Sequence, residues 1–291
     1  SEVVVFAPGD GTTGAAVVDA VDLICFTGSV ETGRRVAEAA AAQFKPASLE
    51  LGGKDPVIVL KDACLERASD AVLRGSVQNS GQVCLSIERI YVDEAVHDEF
   101  VATLTRKAKA LRFNYPDIRV GEIGPLIFER QADVIARHLA DAVEHGGSIL
   151  SGGEIEDHGG GKWVFPTVID HATHAMAVMR EETFGPIMPV MAFNDVAEAV
   201  RLANDTDFGL SASVIGGSLE EARAVAEEIN AGGVSVNDCG LTIATYEPEK
   251  NAFNLSGMGG SRMGSASIYR FLRKKALIMQ HGDPSSITDL T

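Results

Sequence analysis

The chain has 291 residues, 45% of them hydrophobic, enough to bury a sizeable core and, by length, to build two domains. Its 25 Lys and Arg against 41 Asp and Glu give a formal net charge of −16, a surface that repels phosphate backbones and anionic lipids and argues against nucleic acid or membrane as partner. No apolar run approaches the roughly 18 residues of a spanning helix. Four scattered cysteines without a CxxC pair argue against a disulfide framework or a cysteine zinc site, and point to a reducing, cytoplasmic home.

Strand-like and helix-like segments alternate from end to end, which predicts an α/β fold with mostly parallel strands. The first strand, Val3–Ala7, follows Ser1 with almost no lead-in, and the expectation is that this is one piece of a longer chain. Gly9–Gly14 then spells G-x-G-x-x-G ahead of a possible helix, either a dinucleotide fingerprint or a glycine-rich turn. Leu23–Phe26 reads as a buried strand, closed by Thr27-Gly28-Ser29 before a helix over Glu31–Phe44 supported by the alanine run Ala39–Ala42. Strand, small-residue turn and helix together offer free N–H groups and a positive dipole end to an anion. Ser29 is equally placed as a plain N-cap.

Further strands are expected at Pro56–Leu60, Ile90–Val92, Ser148–Ser151, Ile187–Phe193, Ser211–Ile215 and Gly233–Val236. Helices are expected at Leu65–Val77, Val96–Leu111, Glu129–His145, Ala197–Ala203 and Leu219–Ile229, several with apolar residues at helical spacing, as at Val134, Ile135, Leu139 and Val143. Asn114–Gly124 reads as a loop, and Asp157–Lys162 as an exposed turn unable to hold regular structure. Asn251–Gly264 is long for a loop, and loops of that kind often carry function.

Three stretches carry chemistry. In Ser48–Lys54, Glu50 stands between Leu49 and Leu51; leaning into an apolar pocket it would have the raised pKa of a general base, whereas at a strand edge or paired with Lys54 it would be an ordinary charge. In Asn79–Cys84 a helical run ends at Gly81 and presents the Cys84 thiol among Gln, Asn, Ser and Gly, while Cys25, Cys64 and Cys239 fit inert buried hydrophobes. In Glu181–Pro186 two carboxylates and Phe184 precede a sharp turn, groups that suit ribose hydroxyls and a flat ring or simply a charged loop. His171 and His174 share a turn rather than a metal site, so no metal is expected, and His138 and His145 read as ordinary helix residues.

Phe26-Thr27-Gly28-Ser29, Leu49–Lys54, Gly81-Gln82-Val83-Cys84 and Glu182–Pro186, in that order and with 34 positions from Glu50 to Cys84, resemble the aldehyde dehydrogenase superfamily across nearly the whole chain. The resemblance implies Cys84 as the nucleophile and Glu50 as the base that activates water. It also implies Gly28 and Ser29 at the pyrophosphate of NAD or NADP, Leu51 at the nicotinamide, and Glu182 with Phe184 at its ribose and ring. The implied fold is a partial Rossmann-like cofactor domain (residues 1–51), then an α/β catalytic domain with a mostly parallel sheet (52–265), then a C-terminal tail (266–291). Leu85–Arg89 resembles members acting on semialdehydes or aromatic aldehydes. On this mapping Gly9–Gly14 lies beside the cofactor rather than forming the main phosphate loop.

The departures are at the ends. Family members carry, ahead of the point where this sequence starts, an oxyanion-hole asparagine and a lysine region that contacts the adenosine ribose. Losing one oxyanion donor typically costs about 100- to 1000-fold in rate, so the isolated chain is expected to be a poor catalyst, with a missing N-terminal fragment as partner. A sheet lacking strands would also expose an apolar edge. Near the C-terminus Ser256–Arg262 matches the family's glycine-rich stretch, and Arg270–Lys275 with Ala276–Gln280 is read as a homo-oligomerisation strand or a solvated basic helix end. The expected substrate is a small-molecule aldehyde oxidised to an acid. A CoA-acylating enzyme and a non-catalytic scaffold are the rival readings.

Overall fold

The computed structural model describes residues 3–261, 263–283 and 288. Helix α1 (Gly11–Ala20) starts where the Asp10 carboxylate accepts the Thr12 N–H at 2.9 Å, so Gly11 and Gly14 lie inside a helix and not in a phosphate-type loop. Strand β1 (Ile24–Thr27), helix α2 (Val30–Ala42) and strand β2 (Ala47–Glu50) follow, the two strands parallel with Thr27 opposite Glu50. Then come β3 (Asp55–Val59), α3 (Leu65–Val77), β4 (Ile87–Asp93), α4 (His97–Lys109), α5 (Arg130–Glu144) and β5 (Ser148–Ser151). A hairpin of β6 (Ile155–His158) and β7 (Gly161–Val164) leads to β8 (Thr167–Asp170), α6 (Ala177–Arg180), β9 (Ile187–Phe193), α7 (Val196–Asn204) and β10 (Ser211–Ile215). Last are α8 (Leu219–Glu227), β11 (Gly233–Val236), α9 (Leu241–Ala244) and β12 (Gly257–Met258).

Strands 3–5 and 8–11 form one sheet in the order β11-β10-β3-β4-β9-β8-β5, parallel except for β5. Its inner strands are buried on both faces, as their unbroken apolar sequences require. Val57, Val59, Ile90 and Val92 pack against α3 and α4 residues such as Val72, Phe100 and Leu104. Their alternates Ile58 and Tyr91 join Ile135, Leu139 and Val200 on the opposite face. A second sheet, β1-β2-β12, has β2 in the middle, and Glu50 ends that strand with only Leu51–Lys54 between it and β3 of the first. Strand β12, from the stretch assigned to the catalytic unit, crosses back to it and pairs antiparallel with β2, Gly257 opposite Glu50.

Several expectations fail for identifiable reasons. Val3–Ala7 is irregular and exposed, because no strand among the described residues pairs with it. Asp157–Lys162 is the end of a β-hairpin: positive φ at Gly159 and Gly160 closes the turn, and Asp157 pairs with Lys162 across it. Cys25 and Cys64 are exposed rather than buried, Cys25 because β1 is an edge strand; Cys239 is buried. Residues 276–280 form no strand in the single chain, and Leu277, Ile278 and Met279 are exposed. Arg262 of the glycine-rich stretch, and 284–287 and 289–291 of the tail, lie outside the described residues. No helix among the described residues is long and apolar enough to cross a membrane.

The depth of the core makes a contrast measurable. Ile90 is 0% exposed in the middle of the large sheet and Phe44 is 98% exposed after α2. Truncating Ile90 to Ala is expected to cost about 2–5 kcal/mol in urea unfolding, and Phe44→Ala less than about 0.5 kcal/mol.

Candidate active site

Three irregular segments meet where the two sheets adjoin. The first is Leu51–Lys54, which leaves β2 and enters β3. Its Leu51 side chain is buried against α2, where a Cβ on Gly33 would overlap it, and its amide donates to Ser256 O at 2.8 Å. Glu50, half-buried at the end of β2, accepts the Gly28 N–H on its backbone carbonyl at 3.2 Å. That bond ties the start of α2 to the same place. Ser29 caps α2, its Oγ accepting the Thr32 N–H at 3.3 Å, so the N-cap reading of this serine is realised.

The second segment carries the thiol. Helix α3 gives way to a tight turn in which Asn79, Ser80 and Gly81 all have positive φ (52°, 57° and 71°). Two non-glycine residues in that region need strong anchoring. Ser80 Oγ accepts from Gly124 N at 2.8 Å and donates to Gly124 O, while Gln82 accepts the Ile127 N–H at 2.8 Å and donates to Pro125 O at 3.1 Å. Cys84 follows, half-buried, just ahead of β4. Burial pushes its thiol up to about 11, helped by the negative charges of Asp55, Glu50 and Glu182. Two carboxylates flanking the Leu51–Lys54 segment and one from the Glu182 turn thus act on one sulfur. Asp55 is itself pushed up to about 8 by burial, although Ser211 donates to it through both Oγ and N–H.

The third segment is Glu181–Pro186. The Gly53 N–H donates to Glu182 Oε1 at 3.1 Å, and a Cβ on Gly52 would run into the same carboxylate. Burial, then the charge of Glu88, raises Glu182 to about 7. Phe184 is half-buried with φ 50°. Cys84, Glu50, Leu51 and Glu182 are therefore brought together, with Phe184 adjoining, and Gly28 and Ser29 stand one hydrogen bond away through the Glu50 carbonyl.

Sequence reasoning missed the charges beneath this site. Lys54, 1% exposed, donates to Glu88 at 2.6 Å and to Thr183 Oγ1 at 3.0 Å, so the lysine weighed as a partner for Glu50 is engaged elsewhere. Arg89, fully buried, donates to the carbonyls of Lys54, Leu202 and Ala203 and to Tyr91 Oη. His138 is no ordinary helix residue, since its Nδ1 meets Thr183 Oγ1 at 3.1 Å and burial holds its pKa down. His174 is occupied by Tyr91 Oη at 2.8 Å and Asp205 at 3.1 Å. Among the described residues no group of three or more His, Cys, Asp and Glu side chains is placed to hold a metal ion.

The four thiols differ enough to be separated chemically. With iodoacetamide at pH 7, exposed Cys25 and Cys64 are expected to alkylate first and buried Cys239, pushed up to about 12, last. The Cys84 rate should climb steeply with pH towards about 11, followed by peptide mass spectrometry.

Residues 1–277 match the sequence profile of the aldehyde dehydrogenase family. A 4,4'-diapolycopene aldehyde oxidase from Methylomonas sp is 45% identical over 231 residues, 79% of this chain and 42% of the relative. A putative NADP(+) succinate-semialdehyde dehydrogenase from Mycolicibacterium smegmatis is 37% identical over 272 residues, 93% of this chain and 52% of the relative. The structure of the putative aldehyde dehydrogenase PutA from Anabaena variabilis superposes with a TM-score of 0.95 at 56% identity, over 98% of this chain and 61% of that one. Both NAD- and NADP-dependent enzymes occur among the matching structures. The chain spans about half the length of the curated relatives it matches. With the thiol turn, the Leu51–Lys54 segment and the Glu182 turn meeting in one place, the profile and these relatives together establish that this chain belongs to the aldehyde dehydrogenase family.

Proposed function

We propose that this chain carries the catalytic part of an enzyme that oxidises an aldehyde to a carboxylic acid with NAD(P)+. The observation that carries the reading is the close approach of three segments: Gly53, three residues after Glu50, lies against the backbone carbonyl of Cys84 and donates its N–H to Glu182. The residues present suit a dinucleotide. The start of α2 after Gly28 offers backbone N–H groups to a pyrophosphate. A carboxylate lies against glycines where ribose hydroxyls can donate to it, and Leu51 gives an apolar wall.

In the reaction, Cys84 gives up its proton to water and its sulfur adds to the aldehyde carbon, the C=O π pair moving onto the former carbonyl oxygen as negative charge. The Cys84 backbone N–H is a donor for that oxygen. When bound, NAD(P)+ would supply a cationic ring that accepts the hydride. Loss of hydride from the sulfur-bound carbon leaves a thioester on Cys84. Glu50 then takes a proton from water, whose oxygen attacks the thioester carbon, and the C–S bond breaks to return the thiolate and release the acid. The presence of Glu50 favours water over a CoA thiol as acyl acceptor. We further assign residues 1–51 to the cofactor unit and 52–265 to the catalytic unit, joined through β12.

The raised thiol and the raised Glu182 both bear on pH. A thiol near 11 is only about one part in 10⁴ ionised at pH 7, and a cationic ring beside it is expected to bring the pH at which Cys84 alkylates downward. Ionised Glu182 is the better acceptor for ribose hydroxyls, so affinity for NAD+ should strengthen as pH rises through about 7, measured by calorimetry. With an aldehyde and NAD+, the wild-type chain is expected to form NADH, and Cys84→Ala to form none. Glu50→Gln should turn over about 10²- to 10⁴-fold more slowly and accumulate an acyl adduct on Cys84 in intact-mass spectra. NADH formation undiminished in Cys84→Ala overturns the reading.

A further inference from the structure

We propose that Glu88 is a positioning residue, whose single buried carboxylate fixes the turn that presents Glu182 and Phe184 to the cofactor. The inference rests on the reading of those two residues as cofactor contacts. The segment Glu181–Pro186 belongs to no helix or strand, and Phe184 sits at φ 50°, a conformation that persists only when its surroundings over-determine it. Glu88 supplies much of that determination. Its Oε1 accepts the Phe184 N–H at 2.8 Å, and its Oε2 accepts the Thr183 N–H at 2.7 Å together with the Lys54 ammonium at 2.6 Å. Two successive amides and a buried cation thus converge on one carboxylate that is 2% exposed.

The neighbours complete the clamp. Lys54 also donates to Thr183 Oγ1, which meets His138 Nδ1, and His138 Nε2 lies 3.4 Å from Glu181, itself paired with Arg137. Gln131 donates to Thr183 O at 2.6 Å. Residues 181, 183 and 184 are therefore each pinned from below, and Glu182 between them turns to the Gly53 N–H. Glu88 stands four positions after Cys84 at the start of β4, so the thiol and the cofactor-facing turn hang from the same strand. The arrangement also sets charge: Glu88 raises Glu182, Lys54 opposes it, and Glu182 in turn bears on Cys84, while Arg137 and His138 engage Glu181 on the α5 side.

The test compares the full wild-type chain with Glu88→Gln and with Lys54→Met/Glu88→Gln. The double variant leaves no lone buried ammonium and is expected to stay folded, because buried ion pairs replaced together are often neutral in stability. Without ligand, hydrogen–deuterium exchange should speed up in peptides covering residues 181–186 and stay unchanged in those covering β3 and β10. With NAD+, calorimetry should show Kd raised about tenfold, the equivalent of one charged hydrogen bond. The pH midpoint of binding should fall in Glu88→Gln, because the like charge that raises Glu182 is gone; a purely structural residue would not move it. Wild-type exchange at 181–186 together with wild-type Kd in a folded variant overturns the proposal. Unfolding of both variants assigns Glu88 to core stability alone and overturns it as well. If wild type itself fails to bind NAD+, the cofactor reading falls and takes this inference with it, an outcome distinct from binding that Glu88 does not influence.

Discussion

The site exists because main chain is allowed to press on main chain at two points. A Cβ at position 53 would strike the carbonyl of Cys84, and one at position 81 would strike the backbone of Gly185. With glycine at both, the segment leaving β2, the thiol turn and the Glu182 turn come together more closely than side chains would permit. Everything chemical at the junction depends on that approach. It buries the thiol and the Glu182 carboxylate near other carboxylates, and burial is the largest cause of the upward shifts of Cys84 and Glu182.

Closeness of this kind has an electrostatic consequence, met beneath the site by buried charges of both signs. Lys54, Glu88 and Arg89 are each out of contact with water, and each has several partners in hydrogen-bonding range. Isolated, any one of them would be strongly destabilising; satisfied, they hold irregular backbone in one conformation. Arg89 does this for β3 and the end of α7 through the carbonyls of Lys54, Leu202 and Ala203. The sheet core, by contrast, is apolar and closely packed and has no role in chemistry beyond rigidity.

That division explains what could be read from the residues alone. Ser148–Ser151, Ile187–Phe193, Ser211–Ile215, Gly233–Val236 and Leu65–Val77 fall where expected, because short apolar runs between breakers mark strands, even the half-exposed outer two, and an amphipathic helix writes its period into the sequence. Strand β2 was not anticipated, since Ala47-Ser48-Leu49-Glu50 lacks a β-branched run, and it is held by neighbours on both sides rather than by propensity. Val3–Ala7 shows the converse: strong propensity yields no strand where no strand among the described residues lies alongside. At the site, Glu50 drew notice as a carboxylate between two leucines. The same clue lay in Ile87-Glu88-Arg89-Ile90, a charge pair within an apolar strand, but nothing in the local sequence revealed that its partners were Lys54, 34 positions back, and the amides of Thr183 and Phe184.

Strand β12 is only two residues long, yet it lies across the boundary between the sheets. Ser256, just before it, accepts from both sides: its carbonyl receives the Leu51 N–H that follows β2 and its Oγ receives the Gly209 N–H from the approach to β10. Glu50 ends a strand of the small sheet and Cys84 precedes a strand of the large one, so their spacing is set by the Leu51–Lys54 segment, the close approach of Gly53 to the Cys84 carbonyl and the Ser256 bonds together, and not within either sheet. Loosening these contacts would shift the Glu50 carboxylate relative to the Cys84 sulfur while the strand pairing inside both sheets stayed as it is.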